Sequence, residues 1–187
     1  MIIKSTQDFL VEYDIFSNKD IVVIGRGKDA NKFKYRSQVP VFCINTAVEF
    51  YPNPWYVVMV EPHFKELKDI PLFLEYTTLL IKKRDYTESK VVTGCTPTIF
   101  ISFMLNRIMK PNTKIYLQGF SMDEESNKSY PSKLRHCLKY NWERQIEAFK
   151  KCQLLAEKKQ IELILIDKNK KLSFIKQGIP PEEMLHG

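Results

Sequence analysis

An α/β fold, one mostly parallel sheet with helices on both faces, is predicted by three observations. Short β-branched apolar runs recur along the chain, each closed by Gly, Asn, Glu-Pro or a charged cluster. Helical stretches alternate with them through short connections. The whole spans 187 residues, close to one domain. Hydrophobic residues are 44% and charged residues 27% of the chain, enough to build a core and inconsistent with a disordered or collagen-like chain.

The elements follow in order. Residues 1–19 form a leading segment with a short helix over 7–16. The core, 20–167, opens on Ile21–Ile24, a β-branched run that stops at Gly25 and reads as a buried parallel strand. Residues 39–44 make a second strand, ending at Asn45, and 55–60 a third, ending at Glu61-Pro62. Thr77–Ile81 is a fourth, closed by Lys82-Lys83-Arg84-Asp85. Thr96 then suits an N-cap and Pro97 the first helical position. The helix that follows to about Met109 is apolar nearly all round and is therefore buried. Lys114–Gln118 is a fifth strand, ending at Gly119. Residues 121–140 hold a polar loop broken by Pro131, long enough to be a candidate lid. A helix over 140–159 repeats Trp142, Ile146, Phe149, Cys152 and Leu155 at helical spacing. Residues 161–166 are a sixth strand, 172–175 an edge strand, and 168–187 a peripheral tail.

No apolar run approaches the roughly 20 residues of a membrane helix, and no signal peptide is visible at the N-terminus. Cys43, Cys95, Cys137 and Cys152 form no Cys-x-x-Cys pair, so they read as reduced thiols of a cytoplasmic protein. His63, His136 and His186 lack metal-ligand spacing, and no metal or other cofactor is expected. The net charge of +7 is concentrated: 12 basic residues face 5 acidic ones between Lys133 and Lys176, while the remainder balances at 17 to 17. A basic region of this kind attracts polyanions or phosphorylated ligands; a solvated Lys-rich helix and turn is the plainer alternative.

In parallel α/β sheets ligands bind beyond the carboxyl ends of the strands. The residues there are 25–30, 45–46, 61–63, 93–96 and 119–123. Gly25-Arg26-Gly27-Lys28-Asp29-Ala30 matches Gly-x-Gly-x-x-Ala, whose glycines let backbone approach a phosphate. The second strand ends at Asn45 where a dinucleotide enzyme would carry an acid, so NAD is not expected; an amide still bonds a sugar hydroxyl or a base edge. Thr93-Gly94-Cys95-Thr96, at the start of the apolar helix, is a candidate anion cradle. Each turn also has a bland reading, a glycine turn in one case and simple capping in the other.

This order of motifs resembles the bacterial sialyltransferases of glycosyltransferase family 42 and their relatives. The likeness spans about 20–167: the Gly-x-Gly turn, Asn45, Thr93-Gly94-Cys95, then Ile115-Tyr116-Leu117-Gln118-Gly119-Phe120, the isolated His136, a long helix and a closing strand. It implies a single Rossmann-like domain with a lid and metal-independent transfer of a sugar from a nucleotide-activated donor. It places Gly25, Gly27, Asn45, Thr93, Gly94 and Cys95 around the nucleotide, with Arg26 between the two glycines. His136 would be the general base, and Tyr130 and Tyr140 would correspond to a lid tyrosine pair that steadies the leaving phosphate. By their chemistry alone Arg26, Lys133 and Arg135 could serve that phosphate as cationic donors. The chain departs from the family where Gly94 replaces a Ser and where Phe120-Ser121 replaces Ile-Asp, and its lid is short.

The chemistry is coherent by itself. An imidazole near neutral pKa suits removal of an acceptor proton. A departing phosphate needs a metal or cationic and hydroxyl donors, and the chain has no Asp-x-Asp to hold a metal. The basic third suits an anionic acceptor, such as a lipid-linked glycan or DNA carrying a hydroxymethylated base. Two rivals remain on the same scaffold. One is a non-catalytic nucleotide or nucleic-acid binding module, distinguished by the absence of His136-dependent turnover. The other is a pyrophosphokinase-type transferase, distinguished by a nucleoside triphosphate and a magnesium requirement.

Overall fold

The computed structural model describes residues 1–87, 92, 94–122 and 142–186. Its centre is one eight-stranded sheet, parallel throughout, in the order β1-β5-β4-β3-β2-β6-β7-β8. The strands are β1 Ile2–Ser5, β2 Ile21–Ile24, β3 Val41–Ile44, β4 Tyr56–Val60, β5 Thr77–Ile81, β6 Lys114–Gln118, β7 Glu162–Leu165 and β8 Lys176–Gln177. The α/β, Rossmann-like architecture is the expected one. Four central strands are buried along nearly their whole length, which is why they read as unbroken apolar runs rather than alternating ones.

Alternate residues of each strand feed two cores. Ile21, Val23, Phe42, Ile44, Tyr56, Val58 and Val60 join one. Val22, Ile24, Val41, Cys43, Val57 and Met59 join the other. The first core is roofed by α1 (Thr6–Val11), α2 (Tyr13–Ser17), α5 (Thr96–Arg107) and α6 (Trp142–Lys158), through Phe9, Phe16, Phe100 and Phe149. The described residues also form α3 (Glu61–Leu67) and α4 (Lys83–Thr87). The second core is covered by Leu67 of α3 and by 3-10 turns carrying Ala47, Val48, Phe73 and Met184.

The structure revises several boundaries. The leading segment is integral: Ile2–Ser5 adds an edge strand beside β5 before any helix starts, and Ser5 then caps α1 by accepting from Asp8 N–H. Phe9 stacks on Phe16 at 4.9 Å and meets Tyr56 edge-on at 5.3 Å, so 1–19 is core. The second strand begins at Val41, because Pro40 has no N–H to donate. The apolar helix is capped by Cys95, not Thr96. Thr98 reciprocates, its Oγ1 accepting from Cys95 N–H, while the Thr96 hydroxyl is engaged elsewhere. Residues 172–175 are not a strand. Leu172 closes a 3-10 turn capped by Asn169, and with Ile175 it is buried in the first core, leaving the edge strand to the exposed Lys176–Gln177. The tail is not peripheral either. It crosses to the second core, where Leu185 bridges Tyr35 and Arg36 N–H donates to Met184 O. Of the candidate lid, only Ser121 and Met122 fall within the described residues.

Candidate functional site at the carboxyl edge of the sheet

Because every strand is parallel, the carboxyl ends of β2, β3, β4, β6 and β7 share one edge of the sheet. The chain order reverses beside β2, which lies between β3 and β6. At that point the Gly-x-Gly turn and the Gly119 loop pack on each other. Gly25 N–H donates to Gln118 O at 2.8 Å. A Cβ on Gly25 would lie 2.6 Å from Gly119 O, and one on Gly27 2.5 Å from Ser121 Oγ. These two glycines therefore serve loop-on-loop packing. Gln118, wholly buried, holds the segment beyond them: its Nε2 donates to Ala30 O at 2.8 Å, and its Oε1 accepts from Tyr35 OH at 2.7 Å. Arg26 is buried, with its guanidinium 6.0 Å from the Phe50 ring centre.

The next two strand ends build a polar cluster. Asn45 terminates β3 with φ 51, a left-handed turn that Asn tolerates better than most residues. His63 lies in the first turn of α3, which starts directly after β4. Its Nδ1 is 3.3 Å from Asn45 Nδ2 and 3.1 Å from Thr96 Oγ1 at the start of α5. Burial lowers the imidazole pKa, with the Glu66 carboxylate pulling weakly upward. Two turns singled out in the sequence, Asn45 and 93–96, thus meet through a third, 61–63. His63 itself was grouped there only as a strand-end position. Its signal was its place three residues after the end of an apolar strand.

Other expected residues find different work. Gly94 has φ 153, and a Cβ there would sit 2.6 Å from Ala148 Cβ, so this glycine lets the loop lie against α6. Cys95 is half-buried, its thiol pushed up by burial despite the opposing Thr98 contacts, which disfavours a thiolate nucleophile. Thr93, Tyr130, Arg135, His136 and Tyr140 lie outside the described residues.

A carboxyl pair missed by sequence reasoning stands at the β6–β7 side. Asp167, fully buried, accepts from Phe120 N–H and clamps the Gly119 loop. Asn169 Nδ2 adds a bond to Phe120 O at 2.8 Å. Burial pushes the Asp167 carboxyl up to about 6, and the neighbouring Asp29 carboxyl adds to the rise. The available signal was an acid following an apolar strand at the ligand-binding edge.

No family model matches the chain, and neither does any curated protein or solved structure.

Proposed function

We propose that the protein is a metal-independent glycosyltransferase that moves a sugar from a CMP- or UDP-activated donor to a hydroxyl on an anionic or nucleic-acid-linked acceptor. One observation carries the reading: Asn45 and Thr96, from separate turns at the ligand-binding edge, converge on His63 within hydrogen-bond distance. Such a polar cluster suits a nucleotide, with Asn45 as an amide for sugar or base and the positive end of the α5 dipole near the phosphate. In the reaction the acceptor oxygen bonds to the anomeric carbon as the bond from that carbon to the phosphate oxygen breaks. His136 takes the acceptor proton, the nucleotide leaves with the bonding electrons, and Tyr130, Tyr140 and Arg135 stabilise its charge.

The test pairs binding with turnover. A pyrimidine nucleotide is expected to raise Tm equally with and without EDTA. His136→Ala is expected to slow sugar transfer by about 10²–10⁴-fold while nucleotide affinity is retained. If none of CMP, UMP, UDP, GDP or ATP shifts Tm, the reading fails. A His136 variant with full turnover removes that residue from the mechanism.

A further inference from the structure

Among the described residues, the strand-end cluster engages only one nitrogen of His63. In the tautomer in which Nδ1 accepts, Asn45 Nδ2 at 3.3 Å is its donor. Thr96 Oγ1, at 3.1 Å from the same atom, is a hydroxyl able to donate to it as well. In that tautomer the single proton of the neutral ring is on Nε2, the ring nitrogen that neither contact engages. Among the described residues none is bonded to Nε2, and the side chain is only partly buried.

The backbone at this place is poorly supplied with donors. Pro97 has no N–H. The Cys95 N–H goes to Thr98 Oγ1 and the Thr98 N–H to the Cys95 side chain. Of the N-cap and first three helical positions this leaves the Thr96 N–H, so a phosphate arriving at the first turn of α5 gains from a side-chain donor. From this geometry we infer that His63 is a phosphate-binding residue, donating its Nε2–H to a non-bridging oxygen of the donor nucleotide while Nδ1 stays fixed by Asn45 and Thr96. The inference rests on the nucleotide cleft proposed above and assigns that cleft a residue outside the motif likeness. Burial lowers the imidazole pKa, so the unliganded ring is neutral near pH 7.

The two ring nitrogens can be tested separately. A Gln at 63 puts an amide N–H near the position of Nε2, whereas an Asn reaches only to the position of Nδ1. Wild type, His63→Gln, His63→Asn and His63→Ala are titrated by calorimetry with the tightest-binding of CMP, UMP and UDP and with its parent nucleoside. Circular dichroism melts check each fold. We expect His63→Ala and His63→Asn to weaken the nucleotide about 10- to 100-fold, as for loss of a hydrogen bond to a charged group. His63→Gln should stay within about 3-fold of wild type, and the nucleoside should bind all four alike. Rescue by Asn but not Gln would mean that His63 only braces Asn45 and Thr96, which overturns the inference and leaves the cleft standing. Equal losses for nucleotide and nucleoside, or no loss in any variant, would also overturn it. A wild type that binds no nucleotide would remove the cleft and this inference together.

Discussion

At the scale of single residues, Asp167 shows how a buried group can be useful and costly at once. It fastens the Gly119 loop by accepting from Phe120 N–H, and it has the Asp29 carboxyl beside it. Its folded pKa of about 6 lies above the ordinary carboxyl value of about 4. Between those values the folded chain holds a proton that the unfolded chain has released. The stabilisation tied to that proton is complete below about pH 4 and lost as the pH rises through about 6. Asp167→Asn keeps an acceptor for Phe120 and offers the Asp29 carboxylate a donor. The variant is expected to be more stable than wild type at pH 8, by about 1–3 kcal/mol, with a flatter dependence between pH 4 and 7. Urea melts across that range read it directly, and a variant less stable at pH 8 would contradict the argument. Gly25 and Gly27 belong to the same scale. Their lack of a Cβ is used against Gly119 and Ser121, so their Gly-x-Gly spacing has a packing cause independent of any phosphate.

At the scale of elements, the first and last segments of the chain complete the two cores. The aromatic cluster of Phe9, Phe16, Phe42 and Tyr56 ties α1 and α2 to β3 and β4, with ring separations of 4.9 to 6.3 Å. Phe9 is fully buried there. Phe9→Ala is expected to cost about 3–5 kcal/mol, the usual price of an aromatic side chain deleted from a packed core. Equilibrium denaturation measures it. A cost below about 1 kcal/mol would contradict a core role for the leading segment. The tail is bound by a different means. Arg36 Nε donates to Leu185 O at 2.8 Å and His186 N–H to Lys34 O at 2.9 Å, so backbone pairing supplements the buried Met184.

At the scale of the whole molecule, the basic excess of the C-terminal third places lysines on the surface. Lys150, Lys151, Lys168, Lys170 and Lys171 are all exposed on α6 and on the segment after β7. Lys171 Nζ lies 5.4 Å from the Trp142 ring centre and donates to Met122 O, which joins this surface to the loop after β6. For an anionic acceptor, affinity is expected to fall steeply with salt. Each neutralised phosphate of a single strand contributes a slope of about 0.7 in log K against log salt. Lys150→Glu combined with Lys151→Glu should weaken binding and shallow that slope. Fluorescence anisotropy with single-stranded and duplex DNA, alongside anionic vesicles, at two ionic strengths supplies the measurement. Tight binding that ignores salt would exclude an electrostatic surface. The described residues contain no helix long and apolar enough to cross a membrane.

The fold class and most strand positions were legible in the sequence because their causes are local. A strand covered on both faces must be apolar at every position, as Ile21–Ile24 and Tyr56–Val60 are, and a chain reversal must follow at Gly25, Asn45 or Pro62. The apolar character of α5 announced its burial for the same reason. The candidate site was legible only as a set of strand ends. Which ends touch depends on strand order, and strand order is settled by contacts between segments far apart in the chain. The order explains why Ile2–Ser5 lies beyond β5, why Gly27 meets Ser121, and why Asp167 reaches both Phe120 and Asp29. It also brings His63 between Asn45 and Thr96, residues 18 and 33 positions away from it, where no spacing rule could have joined them. Periodicity and turn chemistry act over a few residues and can be read from a string. The convergence of side chains on a point is a property of the packed sheet, and only tertiary structure decided it.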